Sequence, residues 1–257
     1  MHLSHDHPDG WGLAYYVAGS PHVIKSESSA VSCNLFKRVS GIARSETVLA
    51  HLRKATAGSV EIANTHPFQY GSWVFAHNGN IRDLDKFRPA IEAKVDDTLK
   101  SFILGTTDSE LIFYFLLTHI AKHVSLARAF VDIDSVMLGV KEALAELRNI
   151  IGDFNLVDGP PSETYLTFIL TNGSTLIAHQ GGKDLFFSTY KKNCSDKDVC
   201  PSFAPECENE STTGLVNHLL FSSEEIKGDN IWIKMIPGQL IGVDGNMKLQ
   251  RDNSLKS

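Results

Sequence analysis

The chain has 257 residues, 42% of them apolar and 21% charged, with a formal net charge of −6. That is the balance of a soluble globular protein with enough apolar surface for a sizeable core. An acidic chain without a basic stripe does not suit a nucleic-acid binder, and its longest apolar run, Leu111 to Leu117, is too short for a membrane-spanning helix.

In chain order, the first segments read as strands: WGLAYYVA (Trp11 to Ala18), HVIKS (His22 to Ser26), TVLAHLRKA (Thr47 to Ala55) and WVFAH (Trp73 to His77). Each is short, rich in β-branched or aromatic residues and flanked by Gly, Ser or Asn. Between the second and third, SAVSCNLFKRVSG has helical character and stops at Gly41. After WVFAH stands Asn78-Gly79, the favoured pair for a two-residue hairpin turn, but no second strand follows. Instead Ile81, Leu84, Phe87, Ile91 and Val95 recur at helical spacing. The pattern is strand, Asn-Gly, helix.

TDSELIFYFLLTHIAKH opens with Thr107 and Glu110 in capping-box spacing, which puts Asp108 in the first helical turn. DIDSVMLGVKEALAELRNII carries Ile133, Val136, Val140, Leu144, Leu147 and Ile151 on one face. TYLTFILTNGSTLIAHQ predicts a hairpin about Asn172-Gly173, and DLFFSTY, NHLLFSSE, NIWIKMIP and QLIGVD complete the strands. Strands, then helices, then strands, without βα alternation, predict an α+β fold of antiparallel sheets. A single domain over 1–257 is expected, with a flexible cysteine-bearing insertion at 192–214.

The opening MHLSHDHPDG lacks the basic and apolar regions of a secretory signal, so a cytoplasmic location is expected. Cys33 suits a small core position, and Cys194, Cys200 and Cys207 lack the paired spacing of a zinc site. His2, His5 and His7 lie at a terminus without a helical frame. No metal site and no cofactor is expected.

A strand that ends in Asn-Gly before a helix brings a side-chain amide and a backbone N–H to one point, which is one way to build an oxyanion hole for acyl transfer. Arg53, in AHLRKATAG near a strand's end, has the planar donor fork that grips a carboxylate, although a surface Arg reads the same way. Asp108 suits an ammonium group, but the helix dipole alone favours an Asp there.

Together these stretches resemble a known family. HLRKATAG, NTHPF (Asn64 to Phe68), AHNGN and TTDSE (Thr106 to Glu110) occur in that order, preceded by HPDGWGLAYY. They are similar to the motifs of the class II glutamine amidotransferase domain, a branch of the N-terminal-nucleophile hydrolases. The resemblance implies a four-layer αββα sandwich. It also implies that Arg53 and Thr56 bind the α-carboxylate of glutamine or a γ-glutamyl compound and that Asp108 binds its α-amino group. Asn78 and Gly79 would form the oxyanion hole. His51, His66 and His77 belong to the same motifs, and scaffold roles are expected of them rather than metal binding.

One part of the family pattern has no counterpart. The family's nucleophile is a cysteine after the initiator Met, whereas residue 2 here is His and the sequence opens almost at DGWG. The expectation is a truncated record of a longer protein; the alternative is a natural pseudoenzyme that binds a glutamine-like ligand without cleaving it. The resemblance points to the stand-alone branch, in which a separate ammonia-accepting synthase is the possible partner. An amino-acid-binding module and, more remotely, a histidine-based metallohydrolase are the other classes.

Overall fold

The structure, a computed structural model, describes residues 7–55, 59–160, 162–211 and 213–253. The strands among them are β1 (Trp11–Val17), β2 (Ser20–Ser26), β3 (Val48–Leu52), β4 (Phe68–Tyr70), β5 (Trp73–Asn80), β6 (Tyr165–Thr171), β7 (Leu176–His179), β8 (Phe186–Ser188), β9 (Gly214–Leu215), β10 (Leu220–Ser222), β11 (Ile233–Lys234), β12 (Leu240–Val243) and β13 (Lys248–Asp252). The helices are α1 (Asn34–Val39), α2 (Leu84–Glu92), α3 (Asp97–Lys100), α4 (Asp108–Ile120) and α5 (Ile133–Ile151). All strand pairs are antiparallel, in three sheets ordered β2-β1-β3, β4-β5-β6-β7-β12-β13-β9 and β10-β8-β11.

Alternation along two strands defines the layers. On β1, Trp11 and Leu13 pack with Val39 and Phe36 of α1, while Ala14 and Tyr16 pack with Val74 and Ala76 of β5. On β5, Trp73 and Phe75 turn the other way and join α4, with the rings of Phe75 and Phe113 stacked at 5.4 Å. The order is α1, small sheet, seven-stranded sheet, then α4 and α5: an αββα sandwich. The second small sheet covers the far end of the same face, packing Phe187 and Met235 with Ala178, Ile241 and Val243. Central β1 is buried on both faces, which is why its sequence reads as a nearly continuous apolar run. No helix among the described residues is long and apolar enough to cross a membrane.

Several boundaries differ from those read in the sequence. Asn78, Gly79 and Asn80 lie inside β5, because β6 keeps pairing with them: Asn78 with Thr167, Gly79 with Leu166, Asn80 with Tyr165. The turn falls later, at Arg82-Asp83, where Asp83 adopts a left-handed φ of 54°. The helix expected from Ile81 to Val95 is regular only over α2, yet both flanking residues are buried in the core. Strands β4, β9 and β13 were not anticipated. They are short or polar segments at or next to the sheet's two edges, and their strand state comes from their neighbours rather than from local propensity.

The cap of α4 is half of a capping box. Thr107 Oγ1 accepts from Glu110 N at 3.3 Å, but the Glu110 carboxylate accepts from Leu104 N and Gly105 N instead of returning to the cap. Thr107→Ala is expected to lower stability by about 1 kcal/mol, read as a shift in the urea midpoint at unchanged slope.

The segment around the remaining cysteines is tied into the fold. Lys191 N donates to Cys207 O at 2.7 Å, Cys194 N to Glu208 Oε1 at 2.7 Å, and Asn217 Nδ2 to Cys207 Sγ at 3.0 Å. All four cysteines are free thiols.

Candidate functional site

Strands β3 and β5 face one another across the sandwich, with Leu49 against Val74 and Ala76. Two residues on, His51 lies close enough to His77 for the two to influence each other's charge. Two further on, Arg53 follows the end of β3, while β5 continues past His77 through Asn78 and Gly79 to Asn80.

Arg53 is buried, at 4% exposure. Its backbone is held on both sides: Arg53 N donates to Gly10 O at 2.9 Å, and Asp9 N to Arg53 O at 3.1 Å. Asp9 Oδ2 accepts from Ala55 N at 2.9 Å, and Arg53 Nη2 donates to Ser59 O at 3.3 Å. Burial opposes the guanidinium charge and the Asp9 carboxylate supports it. Thr56 lies outside the described residues.

Gly79 owes its place to strand spacing. A Cβ there would stand 2.0 Å from Tyr165 O and 2.4 Å from His77 Nε2, so any other residue forces β5 and β6 apart. Its amide orientation follows from the ladder. Leu166, opposite Gly79, donates its N–H to Gly181 O and accepts at its carbonyl from His179 Nδ1, both on the side away from β5. In an antiparallel pair the two residues share one state, hydrogen-bonded or not. Gly79 therefore turns its N–H away from β6, toward the side of β4. That strand pairs with β5 only from Phe75 back to Trp73, and Pro67 just before it has no N–H. The amide thus points past the end of β4, while the exposed Asn78 side chain lies on the β5 face that meets β3.

Asp108 comes from the other face. It is buried in the first turn of α4, with Oδ2 accepting from Ile81 N at 2.7 Å and Oδ1 from Ser109 N at 2.8 Å. This carboxylate ties the start of α4 to the backbone two residues beyond Gly79. His77 completes the link: Nδ1 lies 2.9 Å from Ser109 Oγ and Nε2 lies 2.9 Å from Tyr165 O.

The other motif histidines lie against each other with their rings tilted by 36°. The His51 and His66 rings are 4.2 Å apart, and His66 meets Phe68 edge-on at 4.8 Å. Both ring nitrogens of His66 are buried without a hydrogen-bond partner among the described residues. Burial drives its proton affinity far down, and His51 is likewise held at about 3. The segment leading into β4 crosses Gly12 so closely that a Cβ there would meet His66 O at 2.0 Å.

A family model described as "Glutamine amidotransferases class-II" matches residues 2–256. The chain belongs to the class II glutamine amidotransferase family. Relatives include a Methanocaldococcus jannaschii protein, MJ1515, 36% identical over 135 residues, 47% of this chain and 33% of that one. Another is the gamma-glutamyl-hercynylcysteine sulfoxide hydrolase of Mycobacterium tuberculosis, 33% identical over 93 residues, 35% of this chain and 40% of that protein. The chain spans about a third to a half of the length of the first curated relatives it matches. Among solved structures, a glutamine aminotransferase class-II domain protein from Silicibacter pomeroyi superposes with a TM-score of 0.62 at 19% identity, over 94% of this chain and 90% of that one. That likeness agrees with the αββα order.

In this fold Arg53 directly follows β3, Asn78 and Gly79 lie in the last turn-side residues of β5, and Asp108 opens α4 beside Ile81. Reading the sequence for site residues missed three neighbours: Asp9, which supports Arg53, and Ser109 and Tyr165, which hold His77. Asp9 stood in HPDGWG and Ser109 in TTDSE, so both lay within quoted motifs, while the Tyr165 carbonyl is a backbone group with no signal in residue type.

Proposed function

We propose that the chain is a single amidotransferase domain that cleaves the γ-amide of glutamine or of a γ-glutamyl compound, through an N-terminal cysteine that these 257 residues do not include. The orientation of the Gly79 N–H carries the reading, since it aims at the edge where Arg53 and Asn78 also end. In this reading Arg53, with Thr56, takes the substrate α-carboxylate and Asp108 takes its ammonium. Fixing both ends of the amino acid orients the γ-carbonyl toward the Asn78 amide and the Gly79 N–H. The cysteine's own α-amino group accepts the thiol proton and passes it to the leaving nitrogen. The sulfur adds to the carbonyl carbon of the γ-amide, the C–N bond breaks, and water hydrolyses the thioester to glutamate. Ammonia freed from glutamine goes to a separate synthase partner or to solvent.

One observation favours a second reading, in which the chain binds the ligand without cleaving it. Cys33 sits beside Trp11 and Phe36 on the outer side of β1, away from Asn78, and the other cysteines are in the loop past β8. Two measurements test these readings. Calorimetry of the 257-residue chain with L-glutamine should show binding, weakened at least about tenfold by Arg53→Ala, as expected for loss of a charge-assisted bidentate contact. A chain that binds nothing overturns both. Mass and N-terminal sequence of the protein from its native locus then decide: a leading cysteine supports cleavage, and a start at Met1 or His2 supports binding alone.

A further inference from the structure

The geometry around His77 assigns a task that the motif alone does not. We propose that His77 is a positioning residue for the amino-acid site: by drawing the Ser109 hydroxyl onto its Nδ1, it leaves the Asp108 carboxylate open to a ligand ammonium. This rests on the reading of Asp108 given above and deepens it.

The argument follows donors and acceptors. His77 Nε2 faces the Tyr165 carbonyl at 2.9 Å, and a carbonyl only accepts, so Nε2 carries a hydrogen. His77 is 3% exposed, and burial disfavours its charged form, so the ring is neutral and Nδ1 is a bare acceptor. Ser109 Oγ stands 2.9 Å from that nitrogen and 3.2 Å from Asp108 Oδ1, with a single hydrogen to give. The bare nitrogen takes it. Among the described residues Asp108 then accepts backbone N–H groups alone, from Ser109 and Ile81, one at each oxygen. Each oxygen keeps a further lone pair, and an ammonium group has three donors to fill them.

Were His77 protonated, or its acceptor removed, the hydroxyl would turn onto Oδ1 and occupy the place the ammonium needs. The titratable groups facing His77 among the described residues are Asp108 from α4, His51 from β3, His66 ahead of β4 and His179 from β7. Asp108 is the carboxylate of this set, so the contest for the hydroxyl lies between His77 and Asp108.

The test joins a spectroscopic signature to a rescue. In the ¹⁵N-histidine-labelled chain at pH 7, His77 should be the neutral Nε2–H tautomer, with and without L-glutamine. His77→Phe removes both ring nitrogens, so the Ser109 hydroxyl loses its acceptor and turns onto Asp108, and glutamine affinity should fall about tenfold, the worth of one strong hydrogen bond. Adding Ser109→Ala removes the hydroxyl and should bring affinity back to within about threefold of Ser109→Ala alone, a coupling that additive damage would not produce. An Nδ1–H or protonated His77, or a double variant no better than His77→Phe, overturns the proposal. If His77→Phe does not fold, the tautomer alone decides. If the wild-type chain binds no glutamine, the amino-acid-site reading fails and takes the proposal with it; binding with the wrong tautomer sinks the proposal alone.

Discussion

Gly79→Ala is expected to lower the stability of the chain by about 3 kcal/mol, at the upper end of what overpacking costs. The new methyl carbon would meet the Tyr165 carbonyl oxygen at 2.0 Å and His77 Nε2 at 2.4 Å. Neither neighbour can yield cheaply. The carbonyl is backbone in the middle of the seven-stranded sheet, and the imidazole is clamped between Ser109 and that same carbonyl. Relief requires β5 and β6 to separate, which strains the flanking Asn78–Thr167 and Asn80–Tyr165 pairs. Urea denaturation measures it directly. Gly79→Ala with an unchanged midpoint would mean that β5 and β6 do not approach closely enough to exclude a methyl group. The loss should be accompanied by a mobile His77 ring, visible as broadened imidazole resonances.

The same position shows what could be read from residues and what could not. Asn78-Gly79 was legible as something other than a hairpin turn, because Ile81, Leu84 and Phe87 announce a helix. The sequence motifs also foretold the αββα order. That Gly79 lies within a strand was not legible, since its reason is a carbonyl from a strand some eighty positions later in the chain, Tyr165. Long-range pairing of that kind leaves no local periodicity. Strand β13, KLQRD, failed for the same reason: a polar segment is a strand only because β12 and β9 run beside it. The helices were easiest, since Thr107 and Asp132 cap α4 and α5 with their own side chains.

A chain that encloses this many imidazoles should lose stability in weak acid. His179 has no exposed surface; Nδ1 donates to Leu166 O at 2.7 Å, and Nε2 is buried without a hydrogen-bond partner among the described residues. Burial holds its pKa at about 4, whereas the unfolded chain titrates near 6.5. Between those values the unfolded state binds the extra proton, so stability falls as pH drops through this window. For His179 alone the loss reaches about 3 kcal/mol once the pH is below about 4, taking 1.36 kcal/mol per pKa unit. His66 and His77, also lowered by burial, add to it with the same sign. Carboxylates held below their usual range, such as Asp132 and Asp158, act only when the pH falls through about 4 and lower. The two causes therefore separate by window. Urea midpoints taken from pH 7 to pH 4.5 should fall steadily for the wild type. His179→Gln keeps a donor for Leu166 O but cannot take up a proton, so its curve over the same range should be visibly flatter. Parallel curves for the two proteins would place the acid sensitivity elsewhere than in the buried row that β5, β6 and β7 form with His77, Phe168 and His179.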